Sequence, residues 1–570
     1  MALTKVSSIM TTQATNIAEL KTYGASMSDG DSLEILGYYT AGDGGGGTFY
    51  WDATSTDTDN GGTIIQATGV TTGRWLRVYE GDINAKWFGI VGDCVADDTT
   101  AFQNAVTFMS SNTNSTLNIS DCRIYLKTLA APIDISDIEI LGNGTIDDFA
   151  DWPYMAGSDV FATHLTTYQA SSGSGFVSNF AGAVFTGTTF KVRGCSLICN
   201  PTKVGSAGFI QTTPTVYPGS SNGISGDYKG MGVTFCNTYG IHLKGGLETS
   251  RISNLHISDC LNNCLFVDQT ASINCPIDYL EFRDCSFRHS NSDNVVLGGA
   301  EGVAKQIKFH NCGLNGAGRY FTLGELATTY DDLKYSIRIV PKIGFNSLVV
   351  DNCYAEQIQG FVHIDGGYVY NIRITHNVAY YVDPTYVIRY GLAVSSSVVR
   401  GMIVRGNSFN LGTFNIYLHA LTTESDRITV LDPLNSVTYS TLPPASVFVD
   451  QGTKNTIEAS GSLGDGTAGA FTYQIDTVST PAQIIGLTPR VYMVNANWQA
   501  SNSIALGVYI MYVIKSSNGQ YIANVDAISA TGHTAPPTIS TTGVITVNLA
   551  QYYRGKVTRI DLNEDTTYVL

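Results

Sequence analysis

The residues of this sequence best suited to catalysis are carboxylates set among cationic groups between positions 256 and 356. Glu281 and Asp284 lie three apart across a bend, while His256, Arg283, Lys308, His310 and Asp351 fall at related positions of a recurring motif and Tyr354 follows closely. Two carboxyl groups hydrolyse a glycosidic bond with retention when about 5 to 5.5 Å apart, or with inversion when about 6.5 to 9.5 Å apart. Glu281 with Asp284 is therefore the leading catalytic pair. The same stretch holds what β-elimination needs, with His310 or Tyr354 as the base and Arg283 to neutralise a carboxylate. Sequence alone does not choose between the two reactions. A long insertion between Cys312 and Cys353 carries Tyr330, Asp331 and Asp332, whose ring and carboxylates suit the wall of a binding groove. Each residue also has a plain reading, since turn aspartates cap backbone amides and Glu281 beside Lys308 makes an ordinary surface ion pair.

What must place these residues is a short template: apolar, any, apolar, two polar or small residues, then Cys or Asn. Nine copies start at Leu117, Ile138, Phe190, Leu255, Leu280, Ile307, Leu348, Ile372 and Met402. They end at Cys122, Asn143, Cys195, Cys260, Cys285, Cys312, Cys353, Asn377 and Asn407. The shorter spacings, roughly 21 to 30 residues, are the length of one coil of a parallel β-helix. The two apolar positions face the interior because they are two apart on a strand. Stacked coils then put the closing Cys or Asn in an internal ladder. One coil cannot bury its apolar face alone, so both ends need caps. Outward positions stack into two columns, one running His256, Glu281, Lys308, Val349, Arg373 and the other Ser258, Arg283, His310, Asp351, Thr375. On this stacking His256, Arg283, Lys308, His310 and Asp351 are substrate contacts around the acidic pair.

The composition is that of an all-β chain. Its 570 residues include 59 Gly and 32 Tyr but only 15 Pro, as expected of many short strands joined by tight turns. With 32 basic and 48 acidic residues the formal charge is −16, which repels nucleic-acid phosphates and anionic lipid and argues against both as partners. The longest apolar run, Ile504 to Ile514, is too short to cross a bilayer and reads as a buried strand. The first twenty residues lack the pattern of a secretion signal. Eleven cysteines without a CxxC pair read as structural thiols of a protein made in a reducing cytoplasm, not as metal ligands. No cofactor is expected.

Four segments follow. Residues 1–21 form a weakly helical attachment segment. Residues 22–95 form a β-rich neck, in which Gly42-Asp43-Gly44-Gly45-Gly46-Gly47 is a tight turn and not a phosphate loop, because no Lys-Ser/Thr follows it. Residues 96–458 form the β-helix, opened by an N-capped amphipathic helix from Asp98 that plugs the coil. Residues 459–570 alternate like a β-sandwich, suited to trimerisation or carbohydrate binding.

The stretch Gly42 to Trp51, Gly73-Arg74-Trp75, and the segment from Trp87-Phe88-Gly89 to Ala105 resemble the tailspike depolymerases of bacteriophages, in particular podoviruses of capsulated Klebsiella. The last segment is similar to the opening of pectate-lyase-like β-helices, with Cys94 where those usually have Gly. The resemblance implies a right-handed parallel β-helix, a homotrimer, bacterial capsular polysaccharide as partner, and a place in the virion tail acting at the bacterial surface. It does not supply catalytic residues. On the same footing, residues 1–21 are expected to join another tail fibre or adaptor protein. Two rivals stand beside this reading. One is a non-enzymatic glycan-binding fibre. The other is a cellular pectate-type lyase, which the missing Asp cluster for Ca²⁺ and the missing secretion signal weaken.

Overall fold

The computed structural model describes residues 12–112, 116–144, 165, 168–170, 172–188, 190–211, 231–234, 236–244, 250–268, 279–299, 303–318, 334–341, 344–380, 390–395, 398–410, 414–419, 426–431, 437–439, 455–461, 469–474, 490–500, 503–515, 521–531, 538–539, 544–549 and 553–560. Two compact units share the chain: residues 1–295 with 319–324, and residues 296–318 with 325–570.

The first unit opens with a small sheet. Ser32–Ile35, Gly47–Asp52, Arg74–Arg77 and Ile64–Ile65 pair antiparallel in that order, and Thr12–Ala14 adds a parallel edge on Ser32–Ile35. Alternation along the strands buries Leu33, Ile35, Phe49, Trp51 and Trp75 on one face, where Ala14, Ile17 and Leu20 complete the core. The boundary expected at residue 21 thus lies inside this domain. The glycine run is a turn, as expected. The Asp43 carboxylate accepts the N–H groups of Tyr38, Tyr39, Thr40 and Gly45 at 2.8 to 3.0 Å. Gly45 is required there, because a Cβ would come within 2.5 Å of Tyr38 Cβ. Arg77 crosses beneath, donating to the carbonyls of Gly45, Gly46 and Gly62 with its guanidinium over the Phe49 and Trp87 rings.

Coiling begins at Ile83–Asn84, earlier than residue 96, where a parallel pairing with Thr116–Asn118 starts a sheet continued by Glu139–Leu141 and Lys191–Arg193. A second parallel sheet in this unit holds Arg123–Leu126, Gly175–Ser178, Cys195–Cys199, Met231–Thr234, Leu255–Ser258 and Ser286–Arg288. A third holds Ile133–Asp134, Ala183–Gly187, Ala207–Gln211, Tyr239–Leu243 and Asn263–Asp268. Ser250–Ser253 pairs with Leu280–Arg283 on a further face. The helix Thr99–Ser110 buries Phe102, Ala105, Val106 and Met109, and Phe102 meets Phe176 and Phe185 with ring centroids 5.0 and 6.1 Å apart. It plugs the coil as the apolar spacing indicated. Its cap differs, because Asp98 spends both carboxylate oxygens on the N–H groups of Val91 and Gly92 instead of on the helix.

In the second unit Val303–His310, Gly344–Asp351, Tyr368–Thr375, Val398–Arg405 and Asp426–Leu431 form one parallel sheet. Tyr335–Pro341, Gly360–Asp365, Tyr390–Ser395, Phe414–His419 and Val437–Tyr439 form another, and Gly313–Asn315, Tyr354–Glu356, Val378–Tyr380 and Ser408–Asn410 a third. Beyond them, the strands from residue 455 onward are antiparallel. Ser503–Lys515, which contains the apolar run, pairs with Arg490–Ala500 on one side and Tyr521–Thr531 on the other. Gly469–Gln474, Val544–Leu549 and Thr538–Ile539 make a smaller antiparallel sheet.

The template carries two structural jobs. Its closing residues are buried in every copy except Asn143, which is exposed and bonded to Asp121 and Ser174. Asn377 shows what the ladder does: its Nδ2 donates to Asn407 Oδ1 and Val350 O, both at 2.9 Å, and its Oδ1 accepts from the Cys353 N–H at 2.9 Å. The residue before the closing one turns the chain through the left-handed region, with φ from 53° to 66° at Asp121, Gly194, Asp259, Asp284, Asn311, Asn352, His376 and Gly406. Asp, Asn and Gly tolerate that conformation best, which explains the polar or small requirement. All ten described cysteines are free and buried, and burial pushes the Cys195 thiol up to about 12.

Two copies of the template mislead. Leu117 stands in register with Ile140, so the first copy is shifted by two against the second. The copy at Leu255 lies on the sheet of Cys195–Cys199 and Met231–Thr234 and not on the face of Leu280–Arg283. The strand that does pair with Leu280–Arg283 is Ser250–Ser253, whose first inward position is serine and whose ladder position is filled by Leu255, so it escaped the pattern.

Candidate functional site

Register decides which outward side chains meet. In the first unit Glu281 stands opposite Arg251, not His256. Its side chain is only 3% exposed, although it sits at an outward position, because three donors cover it. Arg283 Nη2 donates to Oε1 at 2.7 Å, Tyr279 Oη to Oε2 at 2.8 Å and Arg251 Nε to Oε2 at 3.2 Å. Burial alone would raise its pKa, but the bonds from Arg283 and Tyr279 and the two positive charges outweigh it and hold the carboxyl at about 2. Glu281 is thus a fixed anion at neutral pH and not a proton donor. The same contact raises the Arg283 guanidinium above its ordinary value. Asp284 follows, exposed at its left-handed turn.

His256 is elsewhere, in register with Gly232 and Ser286 on the second sheet. Burial, then the charge of Arg288, lowers it to about 4, so it is neutral at pH 7. Asp259 likewise does not share a corner with Asp284. Its neighbour is His289, whose Nδ1 lies 3.4 Å from Oδ1.

In the second unit the columns hold as expected, Lys308 opposite Val349 and His310 opposite Asp351, continuing to Arg373 and Thr375. Asp351 gathers Thr375 Oγ1 at 2.5 Å, His376 Nδ1 at 3.1 Å and His310 Nδ1 at 3.6 Å. Burial pulls its carboxyl up, yet the bonds from Thr375 and His376 and the nearby histidine charges bring it below the usual carboxylate range. A carboxylate flanked by two imidazoles can orient a base and stabilise its protonated form. Tyr354 is exposed and donates to Glu356 Oε2 at 2.8 Å. Tyr330, Asp331 and Asp332 lie outside the described residues.

Pattern reading missed Arg251, for the reason of register, and His376, which occupies the left-handed template position where Asp or Asn is usual. It also missed a third-sheet group in the first unit. There His242 Nε2 lies 3.6 Å from Asp268 Oδ2 beside the Tyr239 and Phe266 rings, which stack at 5.2 Å. In the second unit a chain runs from half-buried Arg338 and Asp365 through Ser395 to buried His363, whose Nε2 is 2.7 Å from Ser395 Oγ. These strands carry no template; the sequence places His363 and Asp365 on the coil after Cys353, with His363 on its third strand, but its spacing does not bring them together with Arg338 and Ser395.

With this geometry in hand, the likeness to known proteins takes on content. Residues 13–80 match the family of the phage tail protein small four-stranded β-sheet domain. The match coincides with the antiparallel sheet at the start of the chain. The fold as a whole resembles the enzymatically active domain of tailspike protein 2 of bacteriophage CBA120, with a TM-score of 0.52 and 12% identity over 98% of this chain and 87% of that one. Tailspike protein gp49 of Acinetobacter baumannii bacteriophage Fri1, a capsular polysaccharide depolymerase, aligns with a TM-score of 0.43 and 15% identity over 98% and 99%. Pantoea stewartii WceF, a glycan biofilm modifying enzyme with a bacteriophage tailspike-like parallel β-helix fold, aligns at 0.39 and 10% over 98% and 73%. No curated protein matches the sequence. At such identities the likeness to tailspike protein 2 establishes the parallel β-helix fold, and activity must be argued from the residues.

Proposed function

We propose that this protein is a bacteriophage tailspike that binds and depolymerises the capsular polysaccharide of its bacterial host. The observation that carries the reading is the union, in one chain, of a match to a phage-tail domain family at residues 13–80 with a parallel β-helix, in a fold that resembles an enzymatically active tailspike domain over 98% of the chain. The outward faces support it, because they concentrate carboxylates, arginines and histidines on rigid strands, where side chains keep their positions better than on loops. Assembly as a homotrimer, and attachment of the spike to another tail fibre or adaptor through the N-terminal region, belong to the same reading.

Hydrolysis is the favoured chemistry. In it exposed Asp284 is the carboxyl that carries the proton, while Glu281, covered by Arg251, Arg283 and Tyr279, acts by holding those groups in place. His310 and His376 around Asp351 are the alternative, with imidazole as the base of a β-elimination. Incubation with a panel of capsular polysaccharides, Klebsiella types first, tests both. New reducing ends without an unsaturated product support hydrolysis, and Asp284→Asn should then cut turnover on the order of 100-fold. Unsaturated ends would move the site to His310 and His376. A capsule that is bound and left intact would support the non-enzymatic fibre.

A further inference from the structure

Glu281 neutralises neither arginine completely, and its burial has a consequence for what the surface above it binds. Its carboxylate is covered by the very groups it holds, being 3% exposed while Arg251 and Arg283 remain 66% and 52% exposed. Arg251 uses Nε on Glu281 and Arg283 uses one Nη. Each guanidinium is thus tied to the anchor through one N–H bond while the side chain as a whole stays open to solvent. Arginine loses considerable side-chain freedom on binding a ligand. Two arginines fastened to one buried anion have surrendered much of that freedom in advance, which is how a preorganised site gains affinity. Their planar forks match a carboxylate better than a hydroxyl. Tyr279, donating to the same Glu281 oxygen as Arg251, stiffens the anchor. Among the described residues, the exposed acid beside them is Asp284, which interacts with Arg283.

We propose that Arg251 and Arg283, positioned by Glu281, form a subsite for a carboxylate-bearing sugar of the polysaccharide. The proposal rests on the tailspike reading and narrows it to acidic repeat units, with the acid group lying across the two arginines near Asp284. A net charge of −16 makes such a locally basic grip the more necessary, because the rest of the surface repels an acidic polymer.

The test compares two forms of one polymer with the wild-type protein. The capsular polysaccharide that the protein cleaves is treated so that its carboxylates become primary alcohols, and cleavage of native and reduced polymer is followed side by side. The native polymer should be cleaved with kcat/KM on the order of 10- to 100-fold higher than the reduced one, the range expected for a charged hydrogen-bonded pair. Arg251→Ala and Arg283→Ala should each raise KM several-fold more for the native polymer than for the reduced one. Equal cleavage of both forms, or cleavage only of a polymer without carboxylates, overturns the subsite and leaves the depolymerase standing. Failure to cleave or bind any capsule overturns the tailspike reading itself. Because the central comparison uses unaltered protein, a variant that misfolds does not decide it.

Discussion

A carboxylate is useful to chemistry only in the state its neighbours permit, and Glu281 is the clearest instance here. Three donors hold it ionised, with a folded value of about 2 against an ordinary 4.5. A depressed value means that its stabilising contribution is complete above about pH 4.5 and is lost as pH falls toward 2. Glu281→Gln should therefore be less stable than wild type at neutral pH by about 1.5–3 kcal/mol. Its melting temperature should also fall less steeply than the wild type's between pH 4.5 and 2, which thermal denaturation across that range checks. Asp284 separates a turn role from a catalytic one. Asp284→Gly keeps the left-handed turn and should retain wild-type stability, while Asp284→Ala should lose about 1–2 kcal/mol. If Asp284 carries the proton, both lose depolymerase turnover equally. Glu281, Asp284 and Asp351 were legible as outward acids because the template told inside from outside. Arg251 was not, because one serine in place of an apolar residue hid its strand.

At the scale of the element, the ladder and the left-handed corner do the organising. Asn377 is fully buried and satisfies groups on the coil before it and the coil after it. Removing it as Asn377→Ala leaves the Cys353 amide and the Val350 carbonyl without their bonds. The expected loss is about 2–3 kcal/mol in denaturant melting, against almost none for a change at exposed Asn143. The ten described thiols should stay unreactive toward a soluble disulfide reagent in the native protein and react on unfolding, because all are buried. The coils could be read from the sequence because inward pairs and closing residues repeat chemically. The second and third sheets could not, since their strands obey only the general rule of apolar residues facing inward. The shift at Leu117 and the mistaken face of Leu255 have one cause. A motif of two apolar residues followed by a left-handed corner fits any turn of the coil, as Asp259 and His289 show at a corner other than that of Asp284.

For the whole molecule, composition already pointed to an all-β chain, and the parallel sheets and the antiparallel C-terminal strands agree with it. The N-terminal boundary was drawn too late for the fold, because Ala14, Ile17 and Leu20 look weakly helical in isolation and become core only against Leu33, Phe49 and Trp75. The central claim is that this chain cleaves a capsular polysaccharide. The most direct measurement follows viscosity, reducing ends and ultraviolet absorbance of unsaturated sugars together as purified protein meets a panel of capsules. The account predicts at least one capsule whose viscosity falls while reducing ends rise and absorbance stays flat. A capsule that is bound tightly and keeps its viscosity, with no cleavage of any other in the panel, would contradict it.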